Sequence, residues 1–335
     1  MDKYSDIWRD LEQSEIQRGE KWSTRLVVSN PVRAYFAMSP NGLRSAQIQF
    51  PKSLIANVDF PTALGFQIEK TSFNSDDKEI ERLCLLLTNE DFVEIYKEVM
   101  ANLMDTLKQT TDVNTAFEDL LKKLNLLQKF FQKGPGRNLS LEGEIGLIGE
   151  LYFLKNFMMP NVGLVRGLSA WKGPLSGLHD FETGSVSIEI KTTPAEIKHG
   201  IKIHNEAQLD NTRIGGDVTS LYLCVVLLKG EDPDGMTLAE LVKTIRDEIE
   251  SSSSVNLNVF NDLLIQSNYL DSHASHYKKK FSVKEYKFYI VDDNFPKITK
   301  NKVHYALEKI SYTIKIDQCS EFERASDDVV GLFSE

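Results

Sequence analysis

Apolar and polar positions alternate in short runs over the first third of the chain. Residues 24–30 and 43–58 carry such runs, with the turn-forming stretch SPNGLR between extended segments, and they predict short strands. Residues 91–110 and 114–133 repeat apolar positions at helical spacing, which predicts two helices. The stretch KGPGRN then interrupts the pattern, because Gly and Pro do not continue a helix. We therefore predict an N-terminal domain of strands and helices over residues 1–135.

The middle of the chain alternates between helical and strand patterns. Ser140 is placed to cap a helix that runs through LEGEIGLIGELYFL, because a serine side chain accepts a hydrogen bond from the first turn. NVGLVRG predicts a short strand, LHDFETGSVSIEIKTT a hairpin and HNEAQLDN a further helix. SLYLCVVLLKG is apolar almost throughout, as in a strand covered on both faces. This order predicts a layered core domain over residues 136–230.

The last third continues with further helices and strands that complete or flank this core over residues 231–335. Helical patterns lie near residues 236–250 and 255–266, and strand patterns lie near residues 283–291 and 309–316. From about residue 317 the chain is acidic, and we predict a mobile tail. The predicted fold class is α/β (α+β), with a mixed central sheet flanked by helices.

The composition limits the class of protein. The chain has 335 residues, of which 41% are hydrophobic and 26% are charged, as expected for a globular protein of two or three packed units. No apolar run approaches the ~20 residues needed to span a bilayer, and the polar start MDKYSDIWRDLEQSE is unlike a signal peptide. Cys84, Cys224 and Cys319 are far apart, so we expect free thiols, a cytoplasmic location and no membrane association.

Charge is distributed unevenly along the chain. The net charge of −10 argues against non-specific coating of nucleic acid. Residues 278–315 nevertheless contain ten lysines and only four acids, and tyrosines are interleaved with them. Such a segment can face a phosphate backbone, or it can form a solvated sheet face with its lysines outward. Charge alone leaves both interpretations open.

The predicted hairpin carries the clearest candidate chemistry. Side chains alternate along a strand, so Glu189 and Lys191 share one face, ~6–7 Å apart. The turn brings Asp180 back beside them. Carboxylate oxygens in this arrangement suit Mg²⁺, and the lysine can support an attacking water and a developing phosphorane charge. The alternative is an ordinary ion pair on an exposed sheet face.

The preceding helix adds a third carboxylate, Glu150. Its neighbours three and four positions away are glycine or apolar, so the carboxylate needs a partner or a metal ion. Gly143, Gly146 and Gly149 recur at every third position, although each weakens a helix by ~1 kcal/mol relative to Ala. Glycines are useful where a helix backbone approaches a sheet or a ligand closely. The alternative is tight packing, with Glu150 reaching out to a lysine.

Four motifs in this order resemble the PD-(D/E)xK nuclease superfamily: GLIGELYFL, HDFE, IEIKTT and HNEAQL. More narrowly, they are similar to a bacterial family of uncharacterised PD-(D/E)xK proteins found with restriction-modification and phage-defence genes. The resemblance implies that Asp180, Glu189 and Glu150 hold Mg²⁺ or Mn²⁺, and that Lys191 is the catalytic lysine. His179 stands where the superfamily's name-giving proline would be.

Two further residues enter through the same resemblance. Gln208 falls where some members place a polar side chain beside the site, and Glu144 is a rival to Glu150 for the helix carboxylate. Glu150 is preferred, because GEL followed by an aromatic run is the closer match. His204 and Trp171 are predicted to be a cap or surface residue and a packing residue, respectively.

The resemblance implies a restriction-endonuclease-like core and a Mg²⁺-dependent DNA endonuclease of restriction or phage defence. Double-stranded DNA is the expected substrate, and a homodimer would match the duplex dyad. An ATPase, a helicase-like protein or a methyltransferase from the same defence locus is an expected partner. The alternative is a non-catalytic DNA-binding or adaptor subunit that keeps the nuclease fold within a multi-protein complex.

Overall fold

The computed structural model describes residues 4–13, 21–61, 65–71, 79–132, 138–175, 177–184, 186–194, 200–211, 220–252 and 254–334. The chain divides into two compact units. The first comprises Met1–Asn138 with Asn268–Ser272, and the second comprises Leu139–Ser267 with His273–Glu335. The boundary predicted at KGPGRN falls largely on residues 133–137, which lie outside the described residues. Within the described ranges, no helix has the length and apolar character needed to cross a membrane.

The first unit is built on a five-stranded antiparallel sheet with the order β1-β2-β3-β5-β4. Its strands are β1 (Ser23–Val28), β2 (Ala34–Met38), β3 (Arg44–Pro51), β4 (Phe66–Thr71) and β5 (Ile80–Leu87). Its helices are α1 (Ser5–Gln13), α2 (Lys52–Ile55), α3 (Val93–Gln109) and α4 (Val113–Gln132). The predicted strands and the two predicted helices are confirmed, except that the second strand ends at Pro51. The short helix α2 follows it directly.

A buried hydroxyl ties α3 to this sheet. Tyr96 is fully buried, and its hydroxyl donates to the Leu85 carbonyl oxygen at 2.6 Å. The Tyr96 hydroxyl oxygen also accepts from the Ala46 backbone N–H at 2.7 Å. Because both hydrogen-bonding roles are filled, the buried polar group is satisfied. The tyrosine therefore fixes the helix against neighbouring strands β3 and β5.

The second unit contains a mixed five-stranded sheet with the order β12-β10-β9-β7-β6. Strands β7 and β9 are parallel, and the other neighbours are antiparallel. The strands of the unit are β6 (Phe181–Thr183), β7 (Val186–Pro194), β8 (Ile201–Ile203), β9 (Ser220–Gly230), β10 (Phe281–Ile290), β11 (Tyr312–Ile314) and β12 (Glu323–Arg324). Strands β8 and β11 form a separate antiparallel pair. The mixed sheet confirms the predicted α/β (α+β) class.

Helices flank this sheet. They are α5 (Leu141–Phe153), α6 (Met159–Val162), α7 (Leu164–Ala170), α8 (Leu238–Glu250), α9 (Ser254–Gln266) and α10 (Ser326–Gly331). Ser140 caps α5 as predicted, because its hydroxyl accepts from the Gly143 backbone N–H at 3.1 Å. Helix α5 lies against β7, where a Cβ added to Gly149 would overlap the side chain of Thr192. The close approach of helix and strand therefore depends on glycine at this position.

The opposite face of the sheet is covered by a cluster of buried apolar side chains. The β8–β11 pair supplies Ile203 and Ile314, and β9 supplies Leu223 and Val225. Strand β9 is therefore buried on both faces, as its near-continuous apolar sequence predicted. All three cysteines of the chain are free and buried, which confirms that expectation as well.

The prediction of a strand at NVGLVRG is wrong, because this segment is helical. Helix α5 continues through a π-helical turn, Leu154–Met158, into α6, and α7 follows at once. Gly163 separates the two short helices at φ 82°, a backbone conformation that glycine adopts without penalty. Gly167 then packs its backbone against Met159, where a Cβ would lie 3.4 Å from the Met159 backbone N. Packing of these short helices against each other therefore decides the structure of this segment, although its short apolar alternation predicted a strand.

The end of the chain also departs from prediction. The helix predicted at HNEAQLDN is a single 3-10 turn, Glu206–Leu209, and the strand predicted at 309–316 shrinks to β11. The segment predicted as a mobile acidic tail is packed: β12 pairs with β10, and α10 follows. Val329 and Phe333 are 0% and 1% exposed, while Asp327 and Asp328 face solvent. The acidic composition reflects only the outer face of this segment.

Candidate active site

Asp180 is fixed where the β6–β7 hairpin stops pairing. The register of the hairpin ends at Phe181, which is paired with Ile188. Beyond this point the Asp180 side chain replaces a backbone partner, because its Oδ2 accepts from the Ile190 backbone N–H at 2.7 Å. The Asp180 carbonyl oxygen in turn accepts from the Gly173 backbone N–H at 3.0 Å. Both ends of the aspartate are therefore held by backbone groups.

Glu189 and Lys191 lie on the same side of β7, as the alternation predicted. Lys191 Nζ donates to Glu189 Oε1 at 2.5 Å. This pair is not on an exposed sheet face, because Glu189 is only 2% exposed and Lys191 is partly buried. In the β7–β9 register the two residues stand beside Leu223 and Val225, next to the apolar cluster. The face predicted to be polar and open is therefore buried, and the surface ion-pair alternative fails.

Glu150 reaches the hairpin from α5. Its Oε2 accepts a hydrogen bond from the indole nitrogen of Trp171, Nε1, at 2.7 Å. The close approach at Gly149 brings this part of α5 against β7, whereas a Cβ on Gly146 would meet nothing within 4 Å. The glycine repeat therefore serves close approach at Gly149, and the space at Gly146 is open.

The carboxylates of Glu150 and Asp180 converge at Gly173. A Cβ added to Gly173 would lie 2.7 Å from Glu150 Oε2 and 3.0 Å from Asp180 Oδ1. Carboxylate oxygens from α5 and from the hairpin thus border one small space, which a side chain larger than glycine would fill. The Gly-Pro loop after Trp171 is what leaves it free.

The charges at this site do not balance. Burial, followed by the neighbouring charges of Asp180 and Glu189, raises the pKa of Glu150 well above its usual range. Burial likewise raises the pKa of Asp180, and burial with the Asp180 charge raises the pKa of Glu189 to about 8. Burial works to lower the pKa of Lys191, but the carboxylates outweigh it and the pKa lies above normal. Three carboxylates therefore share one ammonium.

The family of the chain follows from a comparison of its whole length. Residues 4–317 match the family model described as "Putative PD-(D/E)XK family member, (DUF4420)". The match spans most of the chain and includes every residue placed at the hairpin and on α5. The chain belongs to this PD-(D/E)XK family. A search of curated proteins and a search of solved structures find no match.

Members of the PD-(D/E)XK superfamily are usually nucleases, and these nucleases typically use divalent metals. The donor set fits such an ion, because Mg²⁺ and Mn²⁺ prefer carboxylate oxygens and would offset the surplus negative charge. The residues that would hold it are Asp180, Glu189 and Glu150. Among the described residues, no three His, Cys, Asp or Glu side chains are already gathered closely enough to hold a metal. Glu189 is instead engaged by Lys191.

The two supporting residues expected in this PD-(D/E)XK chain, Gln208 and Glu144, have contacts of their own. Gln208 Oε1 accepts from the His204 backbone N–H at 2.8 Å and so braces the turn after β8. Glu144 is 7% exposed, and burial raises its pKa while the Lys279 charge opposes the rise. Its electrostatic neighbours therefore differ from those of Glu150, although both residues are on α5. Of the two glutamates, the structure brings Glu150 to the hairpin.

Sequence reasoning missed two contributors to the site. Trp171 was assigned to packing, and it does stack on Phe181 at 6.5 Å, but its indole N–H also holds Glu150. Gly173 was passed over as part of a loop. The tryptophan beside a Gly-Pro pair was the available signal, because a buried indole N–H needs an acceptor and Glu150 needed a donor.

Proposed function

We propose that this chain is a divalent-metal-dependent DNA endonuclease. The observation that carries the proposal is the mutual electrostatic influence of three buried carboxylates and one lysine, contributed by α5, by the residue before β6 and by β7. Burial is the first cause of the raised pKa values of these carboxylates, and at Glu150 and Glu189 the Asp180 charge adds to it. Perturbed groups of this kind are concentrated at functional sites. Membership of the PD-(D/E)XK family supports the same reaction class.

Each residue has a distinct role in the proposed reaction. Asp180, Glu189 and Glu150 hold Mg²⁺, and Mn²⁺ can substitute for it. The bound ion would supply a Lewis acid and an acidified water at neutral pH. The Ile190 N–H holds one oxygen of Asp180, which orients the other oxygen, Oδ1, toward Gly173. The Trp171 N–H orients Glu150 in the same way.

Lys191 supplies the positive charge of the site. Its raised pKa keeps the ammonium protonated at neutral pH. A protonated lysine that is partly buried stabilises the negative charge that develops on a phosphodiester under attack, and it orients the attacking water by hydrogen bonding. The salt bridge to Glu189 holds the ammonium on the metal-binding side of β7. Lys191 therefore contacts both Glu189, a proposed metal ligand, and the phosphate under attack.

The biological setting proposed for this activity is restriction or phage defence on double-stranded DNA. It rests on the resemblance of the four sequence motifs to proteins encoded beside such genes. A two-fold symmetric dimer would place one site on each strand of a duplex, since the DNA backbone shares that symmetry. An ATPase, helicase-like protein or methyltransferase from the same locus is the proposed partner.

The decisive experiment incubates purified protein with supercoiled plasmid in Mg²⁺ or Mn²⁺. We expect nicking or linearisation by the wild type, none in EDTA and none with Lys191→Ala or Glu150→Gln. Glu144→Gln is the matched control, because it makes the same change on the same helix away from the hairpin, and it should cleave normally. Equal cleavage by Lys191→Ala and the wild type would show that Lys191 is not the catalytic lysine of this site.

Calorimetric titration with Mn²⁺ separates the enzyme from the adaptor. A metal-binding nuclease should release binding heat that Asp180→Ala abolishes. A wild type that binds no metal and leaves the plasmid intact would instead identify a non-catalytic subunit that has kept the nuclease fold.

A further inference from the structure

A loop between β10 and β11 carries a surplus of positive charge. Residues 297–311, called the basic loop below, contain four lysines and one acid, Glu308. Lys300, Lys302 and Lys309 are exposed, and none of them forms an ion pair with another described residue. Some lysines elsewhere in this unit are paired, as Lys229 is with Asp232 at 3.1 Å. The basic loop therefore presents free ammonium groups to an anionic partner.

The same loop exposes apolar surface at its tip. Tyr305 is 93% exposed and Leu307 is 61% exposed, although large side chains of this kind are normally covered. The Tyr305 ring stacks on His304, with ring centroids 4.3 Å apart. An aromatic ring flanked by free lysines matches the chemistry of nucleic acid, which offers stacking surfaces between phosphates. An acidic protein partner would satisfy the lysines and leave this aromatic tip unexplained.

The stems of the loop lie beside the segment that follows β8. Strand β11 begins with Tyr312, which is paired with Ile203, so the end of the loop lies beside His204. Burial and then the charge of Lys191 lower the pKa of His204, which puts this ring within electrostatic reach of Lys191. At the other stem, Lys297 donates to Asn211 Oδ1 at 2.5 Å. Both stems thus border the segment that follows β8.

We propose that the basic loop is the DNA-contacting element of this nuclease, with Lys300, Lys302 and Lys309 on backbone phosphates and Tyr305 stacked on a base. This rests on the proposed function for the choice of DNA as partner, but the loop can bind DNA whether or not the chain cleaves it. Lysine contacts release counterions from the phosphates and make affinity steeply dependent on salt. The stacking contact adds affinity that is insensitive to salt.

The first test measures binding of a fluorescent 30-base-pair duplex by anisotropy in EDTA, over a range of salt concentrations. We expect the triple variant Lys300→Ala, Lys302→Ala, Lys309→Ala to reduce the slope of log affinity against log salt by about 3, at roughly 0.9 per lost contact. The control is Lys229→Ala, Lys243→Ala, Lys287→Ala, which removes the same charge from lysines that already face carboxylates. Equal slopes for the two triple variants would overturn the proposal.

The second test addresses the tip. On the same duplex extended by a ten-nucleotide single strand, whose unpaired bases are free to stack, Tyr305→Ala should weaken binding about tenfold with an unchanged salt slope. Tyr305→Phe, which keeps the ring, should bind as the wild type does. Since Tyr305 is almost fully exposed, both variants should fold, and circular dichroism checks this. If Tyr305→Ala binds like the wild type, the tip does not stack on DNA and that part of the proposal is wrong.

A plasmid assay separates this proposal from the proposed function. If the wild type cleaves plasmid with metal and the loop variants do not change the salt slope, the proposed nuclease activity is supported and the proposed DNA contact of the basic loop is wrong. If the loop variants weaken DNA binding but the wild type does not cleave plasmid, the loop proposal is supported and the proposed nuclease activity is wrong. A wild type that binds no duplex at any salt concentration would overturn the loop proposal directly.

Discussion

Two strands of the same sheet carry the same acid-x-lysine pattern in different surroundings. On β7, Lys191 and Glu189 are 2.5 Å apart, and their side chains are 14% and 2% exposed. On β10, Lys287 and Glu285 are 3.9 Å apart, with side chains 32% and 50% exposed. The residue types and their spacing are identical. The surroundings of the two pairs differ.

The difference shows what converts an ion pair into a candidate catalytic site. The β7 pair is largely buried and has Asp180 and Glu150 as charged neighbours. The β10 pair has Glu323 as an additional neighbour, 4.0 Å from Lys287, near solvent that screens the charges. Burial and a surplus of carboxylates, rather than the triplet itself, therefore create the demand for a metal ion.

The largest expected effect separates the two lysines. Lys191→Ala should reduce the metal-dependent cleavage rate on the order of a hundred- to a thousandfold, the usual result of losing one charge that stabilises the transition state. Lys287→Ala should stay within about twofold, because it removes a solvated partner. Initial rates on supercoiled plasmid measure both. Similar losses of cleavage rate in the two variants would show that the buried β7 pair contributes no more to catalysis than the exposed β10 pair.

The next effect concerns stability in the absence of metal. The pKa of Glu189 is raised to about 8 from its ordinary value of 4.5, so folding favours the protonated carboxyl. Its contribution to stability is therefore present below pH 4.5 and is lost as pH rises through 8. Glu189→Gln should be more stable than the wild type at pH 9 by on the order of 2 kcal/mol, and similar to it at pH 4. Chemical denaturation without metal measures the difference.

The matched control for this prediction is Glu285→Gln on β10. Its side chain is half exposed, so the same substitution should change the free energy of unfolding by less than about 1 kcal/mol. A wild type whose stability does not decline between pH 5 and pH 9 relative to Glu189→Gln would contradict the buried surplus of negative charge.

A smaller effect is expected at the support of Glu150. Trp171→Phe keeps an aromatic ring on Phe181 but removes the N–H that holds Glu150 Oε2. The Mg²⁺ concentration for half-maximal cleavage should rise about tenfold, with less change in the rate at saturating metal. Metal titrations of cleavage measure both quantities. A purely structural role for Trp171 would lower the rate and leave the metal dependence unchanged.

The smallest effect tests how α5 delivers Glu150. Gly146→Ala should stabilise the protein by up to about 1 kcal/mol, because the added methyl meets open space and improves helix propensity. Gly149→Ala should destabilise it by about 1 kcal/mol or more, because the methyl overlaps Thr192. Thermal unfolding of the two variants gives the comparison. Equal effects would show that α5 is not pressed against β7 at Gly149.

The predictable part of the molecule is that in which local pattern and tertiary environment agree. Strand β9 is apolar along its length and buried on both faces, and the turn after Thr183 joins the two strands of the hairpin as predicted. The relative placement of Glu189 and Lys191 also follows from alternation alone. These features depend on neighbours in sequence, which a single chain records directly.

The rest depended on partners distant in sequence. Glu189 is buried beside Leu223, whose apolar cluster includes Ile314 of β11, more than a hundred residues away. The segment from about residue 317 has the acidic composition of a disordered tail, but its strand β12 pairs with β10. The hairpin turn and the apolar neighbours of Glu150 indicated Asp180 and Glu150 as candidates, and the resemblance to a known superfamily implied their roles, but neither indicated that Trp171 contacts Glu150.

The hydrogen bond from the Ile190 N–H to Asp180 makes one amide proton a reporter of the whole site. A hairpin that is not closed cannot bring the aspartate to β7, so formation of the strand pair and assembly of the candidate active site are a single event. Amide hydrogen exchange at Ile190 should therefore slow in step with recovery of nuclease activity during refolding. In Asp180→Ala the same proton should exchange freely while its neighbours in β7 stay protected. Site formation can then be followed without any substrate.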